Sequence, residues 1–381
     1  MSQEPTVAGS AGSGGNAEGP NASGPAANGG SAEEQVTAEQ ISLARRLRQP
    51  RTLVSIALPI FLLVLIAFNL RGFDLAKLWD SLLAANGLLL LAALVVYYVG
   101  FPFRGVRWML LLRGASTEVS ARDSTEIIFI SWLVNCVVPA KLGDVYRAYL
   151  LRLNFLVSLS RTLGTVFIER ILDLFAIVLL GLAAGFWSFR SGFPRDVQIL
   201  FLIGLVVMGL LALGLLTLRN FGGRALRRLP VPHRALELYE RFEEGVFSID
   251  RRRLPILIVL TGLIWATEGT RFFLVVQALH FHSVHLGLSG AYFVALTASL
   301  LTAVPLTPAG LGIVEAGVVG VLTVVYGVPI TDATALALVD RSISVLSVIV
   351  LGSLAYVLSP KTKGLRAADP AAASPEAPLT T

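Results

Sequence analysis

The sequence predicts an all-α polytopic membrane protein with about six full transmembrane helices, two Pro/Gly-broken helix pairs and an inverted internal repeat. Three observations predict it. Hydrophobic residues make up 55% of the 381 and charged residues 15%, against about 25% charge in a typical soluble domain. The apolar residues fall in long runs, and a bilayer core of ~30 Å needs about 20 helical residues to cross it. The basic residues fall in short clusters between those runs, where they set orientation.

Residues 1–44 open the chain as a segment rich in Gly, Ala, Ser, Pro and Asn. It has too little apolar surface to offset the entropy of ordering, so a disordered cytoplasmic tail is expected there. It shows neither the basic-then-apolar start of a cleavable signal nor a Met-Gly acylation site. Arg45, Arg46, Arg48 and Arg51 then place the amino end inside. Full spans are expected at about 52–70, 87–112, 163–187, 197–218, 255–279 and 333–358. Residues 359–381 form a second loose tail, again on the cytoplasmic side of a cell membrane.

Two segments, 126–160 and 289–328, must each return to the side they entered from if every basic cluster is to share one side. Each is interrupted near its middle by Pro and Gly, as a re-entrant hairpin or as two short spans. Pro139-Ala-Lys-Leu-Gly143-Asp-Val145 matches Pro308-Ala-Gly-Leu-Gly312-Ile-Val314. An acid–arginine doublet follows each break: Glu169-Arg170, then Asp340-Arg341. The membrane halves 45–218 and 255–358 therefore read as repeats of opposite orientation. Helices broken at corresponding positions of inverted repeats mark a transporter's central site, because a half-helix start presents unpaired amides and partial positive charge to an anion. On the register of the motif, Lys141 and Arg147 make the first mouth basic and Glu315 makes the second acidic.

An ionised group near the bilayer centre costs at least ~2.5–3.5 kcal/mol, so intramembrane charges should pair or face a wet cavity. Glu169 and Asp173 share one helix face with Arg170 beside them, and Glu268 and Arg271, three apart, are placed to pair. Arg104, Arg107 and Trp108 read as interfacial snorkelling. The loop 219–254 carries nine arginines over 219–253 and an apolar stripe through Leu236, Tyr239, Phe242 and Val246, which predicts an amphipathic helix on the cytoplasmic leaflet. The single cysteine, Cys136, reads as a small buried side chain. His280, His282 and His285 lack a nearby carboxylate, so neither a metal nor another cofactor is expected. The net charge of +6 sits in the orienting loops and gives no sign of nucleic-acid binding.

Together, Arg104-x-x-Arg-Trp108, Asn135…Pro139-x-x-Leu-Gly-Asp-Val-x-Arg147, Glu169-Arg170-x-x-Asp173, Pro308-x-Gly-Leu-Gly-x-x-Glu315 and Arg341 resemble the lysylphosphatidylglycerol synthase transmembrane-region family, also called flippase-like. The likeness covers roughly residues 50–358. It implies a module that moves modified phospholipid or polyprenyl-phosphate between leaflets, with an enzyme of a lipid or glycan pathway as partner. The aminoacyl-transferase domain fused to some members is missing from this sequence, so lysyl-lipid synthesis is not implied. The residues carried over are Asp144, Arg147, Glu169, Arg170, Asp173, Glu315 and Arg341. Lys141, Glu268 and Arg271 join them as substrate-binding candidates from the reading of the charges. The expectation is thus a transporter: Arg147 and Arg170 on a phosphate, Glu169 or Glu315 on a cationic part, and Asp173 or Glu315 titrating if an ion is coupled. A membrane transferase with Asp144 as base and a non-transporting pathway subunit are the alternatives.

Overall fold

A computed structural model describes residues 79–80, 83–138, 141–189, 195–222, 232–302 and 307–362, which form helices and turns without a strand. The expected first span at 52–70, the two tails and the centres of both breaks lie outside the described residues. Among the described residues, five helices are long and apolar enough to cross a membrane: Gly87–Gly114, Leu202–Asn220, Leu254–Leu279, Pro308–Val325 and Ile330–Leu358.

Helix α1 (Gly87–Gly114) starts where the Asn86 side chain accepts from the amides of Leu88 and Leu89, meeting donors that the helix cannot satisfy itself. Helix α7 (Leu254–Leu279) begins with Pro255 in its first turn, where the missing N–H costs nothing. The two are antiparallel. The Asn86 amide donates to the Ala278 carbonyl at one end, and Arg253 donates to the Leu110 carbonyl at the other.

The first broken segment is a hairpin of α2 (Ala121–Val137) and α3 (Leu142–Phe155). At 14 residues α3 reaches about 21 Å, short of the ~30 Å core. The hairpin closes on Gly143: its amide donates to Asn135 Oδ1 at 2.8 Å, and a Cβ there would sit 2.1 Å from the Ser131 carbonyl oxygen. Helix α4 (Leu159–Ser188) follows, then α5 (Arg195–Thr217), whose apolar side chains are largely exposed to the surroundings. The second broken segment consists of α8 (Leu288–Leu301), a 3₁₀ turn (Pro308–Gly310) and α9 (Ile313–Gly320), which a π turn (Val321–Val325) extends. Helix α10 (Ile330–Arg341) runs through a π turn (Ser342–Leu346) into α11 (Ser347–Leu358).

The expected amphipathic helix exists as α6 (His233–Val246), but its inner face packs on protein. Gly245 lies against Gly164 at the start of α4, Phe242 meets Phe167 at 5.7 Å between centroids, and Glu244 pairs with Arg161. Two facing glycines let the backbones approach closely enough for α6 to dock on α4, so its apolar stripe is used within the fold.

Candidate functional site

Intramembrane charge is concentrated where α1, α4 and α7 meet the two hairpins. Arg107 is 1% exposed and donates to both Asp173 oxygens, at 2.6 and 3.1 Å, and to Glu169 at 3.0 Å. Arg147 stands 3.1 Å from the other Glu169 oxygen and stacks over the Trp108 ring at 4.6 Å. Arg104, 5% exposed, donates to Glu268 at 2.8 Å. Glu268 also accepts from Arg271, which bonds Asp340 at 2.5 Å. The spacing-based pairings of Glu169 with Asp173 on one face and of Glu268 with Arg271 are thus realised.

Arg104 and Arg107 require a correction. They do not snorkel to an interface but are buried at the centre of the ion-pair network. The reason is local: Gly100 lies against Thr267 of α7 and Gly105 against Thr125 of α2. Glycine beside each arginine brings α1 close to its neighbours, and the guanidinium groups are retained between the helices, where carboxylates meet them. Those two glycines were the available signal. Asp340, although noticed as half of a doublet, also belongs in the network.

The doublets make equivalent contacts in the two hairpins. Arg170 forks onto Asp144, through Nε at 3.0 Å and Nη2 at 2.7 Å, and the two residues are 26 apart. Arg341 donates from Nε to Glu315 at 2.8 Å, also 26 residues apart, and from Nη2 to the Ala309 carbonyl. Asp144 and Glu315 are each the third residue of their half-helix, α3 and α9. Lys141 and Gly312 are the respective N-caps, both at positive φ. By helix position, then, Lys141 corresponds to Gly312, two residues away from the Gly310 chosen by the sequence motif. Both half-helix starts carry a carboxylate held by arginine, so the mouths are not simply one basic and one acidic. Glu315 Oε2 additionally accepts from the Gly312 amide at 2.7 Å and caps α9.

Between the breaks lies a cavity of about 160 Å³. Residues flanking both breaks line it: Lys141 from the first, and Thr307, Ala309 and Gly310 from the second. Five cationic side chains face it (Arg104, Lys141, Arg170, Arg271, Arg341), against three carboxylates (Asp173, Glu268, Asp340). Arg147, Glu169, Asp144 and Glu315 stand behind the wall and are not among the lining residues. Cys136 is buried, as expected, and contributes to the lining. Among the described residues no group of His, Cys, Asp and Glu has the geometry of a metal site.

A family model described as the lysylphosphatidylglycerol synthase TM region matches residues 52–352. A UPF0104 membrane protein of Methanocaldococcus jannaschii is 32% identical over 229 residues, 59% of this chain and 93% of that protein. A UPF0104 membrane protein of Methanothermobacter thermautotrophicus is 27% identical over 290 residues, covering 71% of this chain and 83% of its own. The glycosyltransferase AglD of Haloferax volcanii is 37% identical over 106 residues, which are 26% of this chain and 17% of AglD.

Proposed function

Because this chain belongs to the lysylphosphatidylglycerol synthase transmembrane-region family, we propose that it is a lipid translocase which holds a phospholipid or polyprenyl-phosphate head group between its two hairpins. The observation that carries this reading is the cavity between the two breaks, lined by charged side chains from both parts of a membrane protein. Charge is expensive in a bilayer and persists where it is paired or functional. Non-helical backbone at membrane depth likewise survives only where protein or a wet cavity covers it.

The inverted repeat is part of the same proposal. Its support is the antiparallel course of α1 and α7 and the equal spacing of Arg170 from Asp144 and of Arg341 from Glu315. A repeat pair of opposite orientation gives a central site two related routes of access, one to each leaflet. Both chain ends on the cytoplasmic side agree with the charge distribution. The partial match to a glycosyltransferase supports a lipid or glycan pathway as the setting and an enzyme of that pathway as partner. A transferase reading would rest on Asp144 as base, but both of its oxygens accept from Arg170.

The test uses liposomes containing the purified full chain and a phospholipid labelled on its head group, with a membrane-impermeant reductant added outside. Bleaching well beyond the outer-leaflet half is expected, and Arg170→Ala that remains folded should abolish the excess. Bleaching confined to the outer half across several lipid classes would overturn the reading.

A further inference from the structure

The ionised side chains around the cavity do not balance. Six carboxylates (Asp144, Glu169, Asp173, Glu268, Glu315, Asp340) are each held by arginine at 3.1 Å or less. Six arginines hold them: Arg104, Arg107, Arg147, Arg170, Arg271 and Arg341. The seventh cation is Lys141, whose ammonium makes neither an ion pair nor a hydrogen bond with the described residues. It lines the cavity, on a backbone held at φ +50° as the N-cap of α3. A second cation of the lining is held with little freedom. Arg104 is 95% buried, since its relative exposure is 5%, yet its Nη1 has no hydrogen-bond partner. Its neighbour Nη2 is taken by Glu268, and the guanidinium stacks 4.7 Å from the Trp132 ring, another lining residue.

An unmatched ammonium in a low-dielectric site lined by five cationic side chains and three carboxylates favours an anion with several acceptor oxygens. The same inventory disfavours a ligand cation. Each of the three lining carboxylates is already bound by arginine, so an added ammonium would have to displace one while facing surplus positive charge. A volume of about 160 Å³ is roughly five waters at ~30 Å³ each, enough for a phosphate with a small substituent.

We propose that the cavity selects a lipid-borne phosphate whose head group carries no cation, with Lys141 as its principal donor. Zwitterionic and aminoacylated head groups are discriminated against by charge. The proposal rests on the site in the translocase reading but not on its motion. Binding in detergent involves no transfer between leaflets, so either claim can fail while the other stands.

The experiment titrates the purified full chain, in uncharged detergent, with phosphatidylglycerol and phosphatidylcholine of identical acyl chains, read by native mass spectrometry. Inorganic phosphate is titrated in parallel. At least ~10-fold preference for phosphatidylglycerol is expected, equivalent to about 1.4 kcal/mol. Lys141→Gln should reduce the preference to within about twofold, whereas Lys141→Arg should retain it. Thermal unfolding verifies that each variant is folded. Equal or tighter binding of phosphatidylcholine by the unaltered chain overturns the proposal whatever the variants do. So does an undiminished preference in folded Lys141→Gln. Inorganic phosphate binding as tightly as the lipid would assign the site to a soluble anion and overturn its lipid origin.

Discussion

Arg341 holds Glu315 across 26 residues of chain, the separation at which Arg170 holds Asp144. In both cases the arginine follows the acid of a doublet and the carboxylate lies in the first turn of a half-helix. A carboxylate there interacts favourably with the helix dipole, and Glu315 also accepts from the Gly312 amide. The arginine then fixes the half-helix against the helix that carries the doublet. Each half-helix is fastened to the doublet-bearing helix that follows it by one such pair.

Removing the cation alone leaves a buried carboxylate uncompensated, which costs about 3–5 kcal/mol, whereas replacing both partners with apolar groups is often neutral. Arg341→Met is therefore expected to lower the melting temperature in detergent sharply. Arg341→Met with Glu315→Gln should recover much of the loss. A double variant no better than the single one would show that the pair does not fasten α9.

Arg107 is the more vulnerable position, because two carboxylates depend on it. It gives Glu169 and Asp173 three hydrogen bonds and Thr261 Oγ1 a fourth at 3.0 Å. Lysine retains the charge but not the planar fork. Arg107→Lys should reduce the monodisperse yield markedly and Arg107→Ala should nearly abolish it. Arg113, exposed at the end of the same helix, should tolerate Ala without change. Size-exclusion profiles of the three variants decide this.

The features legible in the sequence were those that interrupt an apolar background. Proline and glycine at the two breaks, the doublets Glu169-Arg170 and Asp340-Arg341, and the pair Glu268 and Arg271 all stand out because charge and backbone irregularity are costly in a membrane. The partner of each arginine was not legible, since it comes from another helix. Arg104 and Arg107 read as interfacial beside Trp108, although Gly100 and Gly105 admit the neighbouring helices that bury them. The register between the hairpins was obscured by a real identity. Pro-Ala-x-Leu-Gly aligns Lys141 with Gly310, whereas the N-caps, the first-turn carboxylates and the doublets all align two residues further on. Turn residues follow the local path of the chain; the ion pairs follow helix position.

The docking of α6 rests on two glycines and is open to a direct test. A Cβ on Gly164 would lie 2.2 Å from the Phe242 carbonyl oxygen, and one on Gly245 would lie 2.1 Å from that of Arg161. Both obstacles are backbone, which cannot swing aside as a side chain does. Gly164→Val is expected to detach α6 and destabilise the protein by roughly 1–3 kcal/mol, the usual cost of overpacking. Hydrogen exchange over 233–247 should accelerate in the variant while that of α1 remains unchanged. Unaltered protection of α6 would mean that the contact is dispensable.

The end of α11 is tied to the first hairpin by a surface cluster that responds to acid. Lys361 pairs with Asp123 at 2.5 Å and Glu126 at 3.5 Å, and the Ser359 hydroxyl donates to Glu126. The hydrogen bond from Lys361 holds the Asp123 carboxyl below its ordinary range, assisted by Ser120 and the nearby charges of Lys361 and Arg122. The folded value is thus depressed relative to an unfolded aspartate near 3.9. The stabilisation is fully present above that value and is lost as the pH falls through the lower folded one. Because Asp123 is partly exposed, the effect is modest and screened by salt. Asp123→Asn with Glu126→Gln should raise hydrogen exchange over residues 355–362 at pH 6. At pH 3 the difference from the unaltered chain should narrow, since the stabilisation from ionised Asp123 weakens as the pH falls toward its depressed folded value. Equal exchange of variant and parent at pH 6 would show that the last helix is held by packing alone.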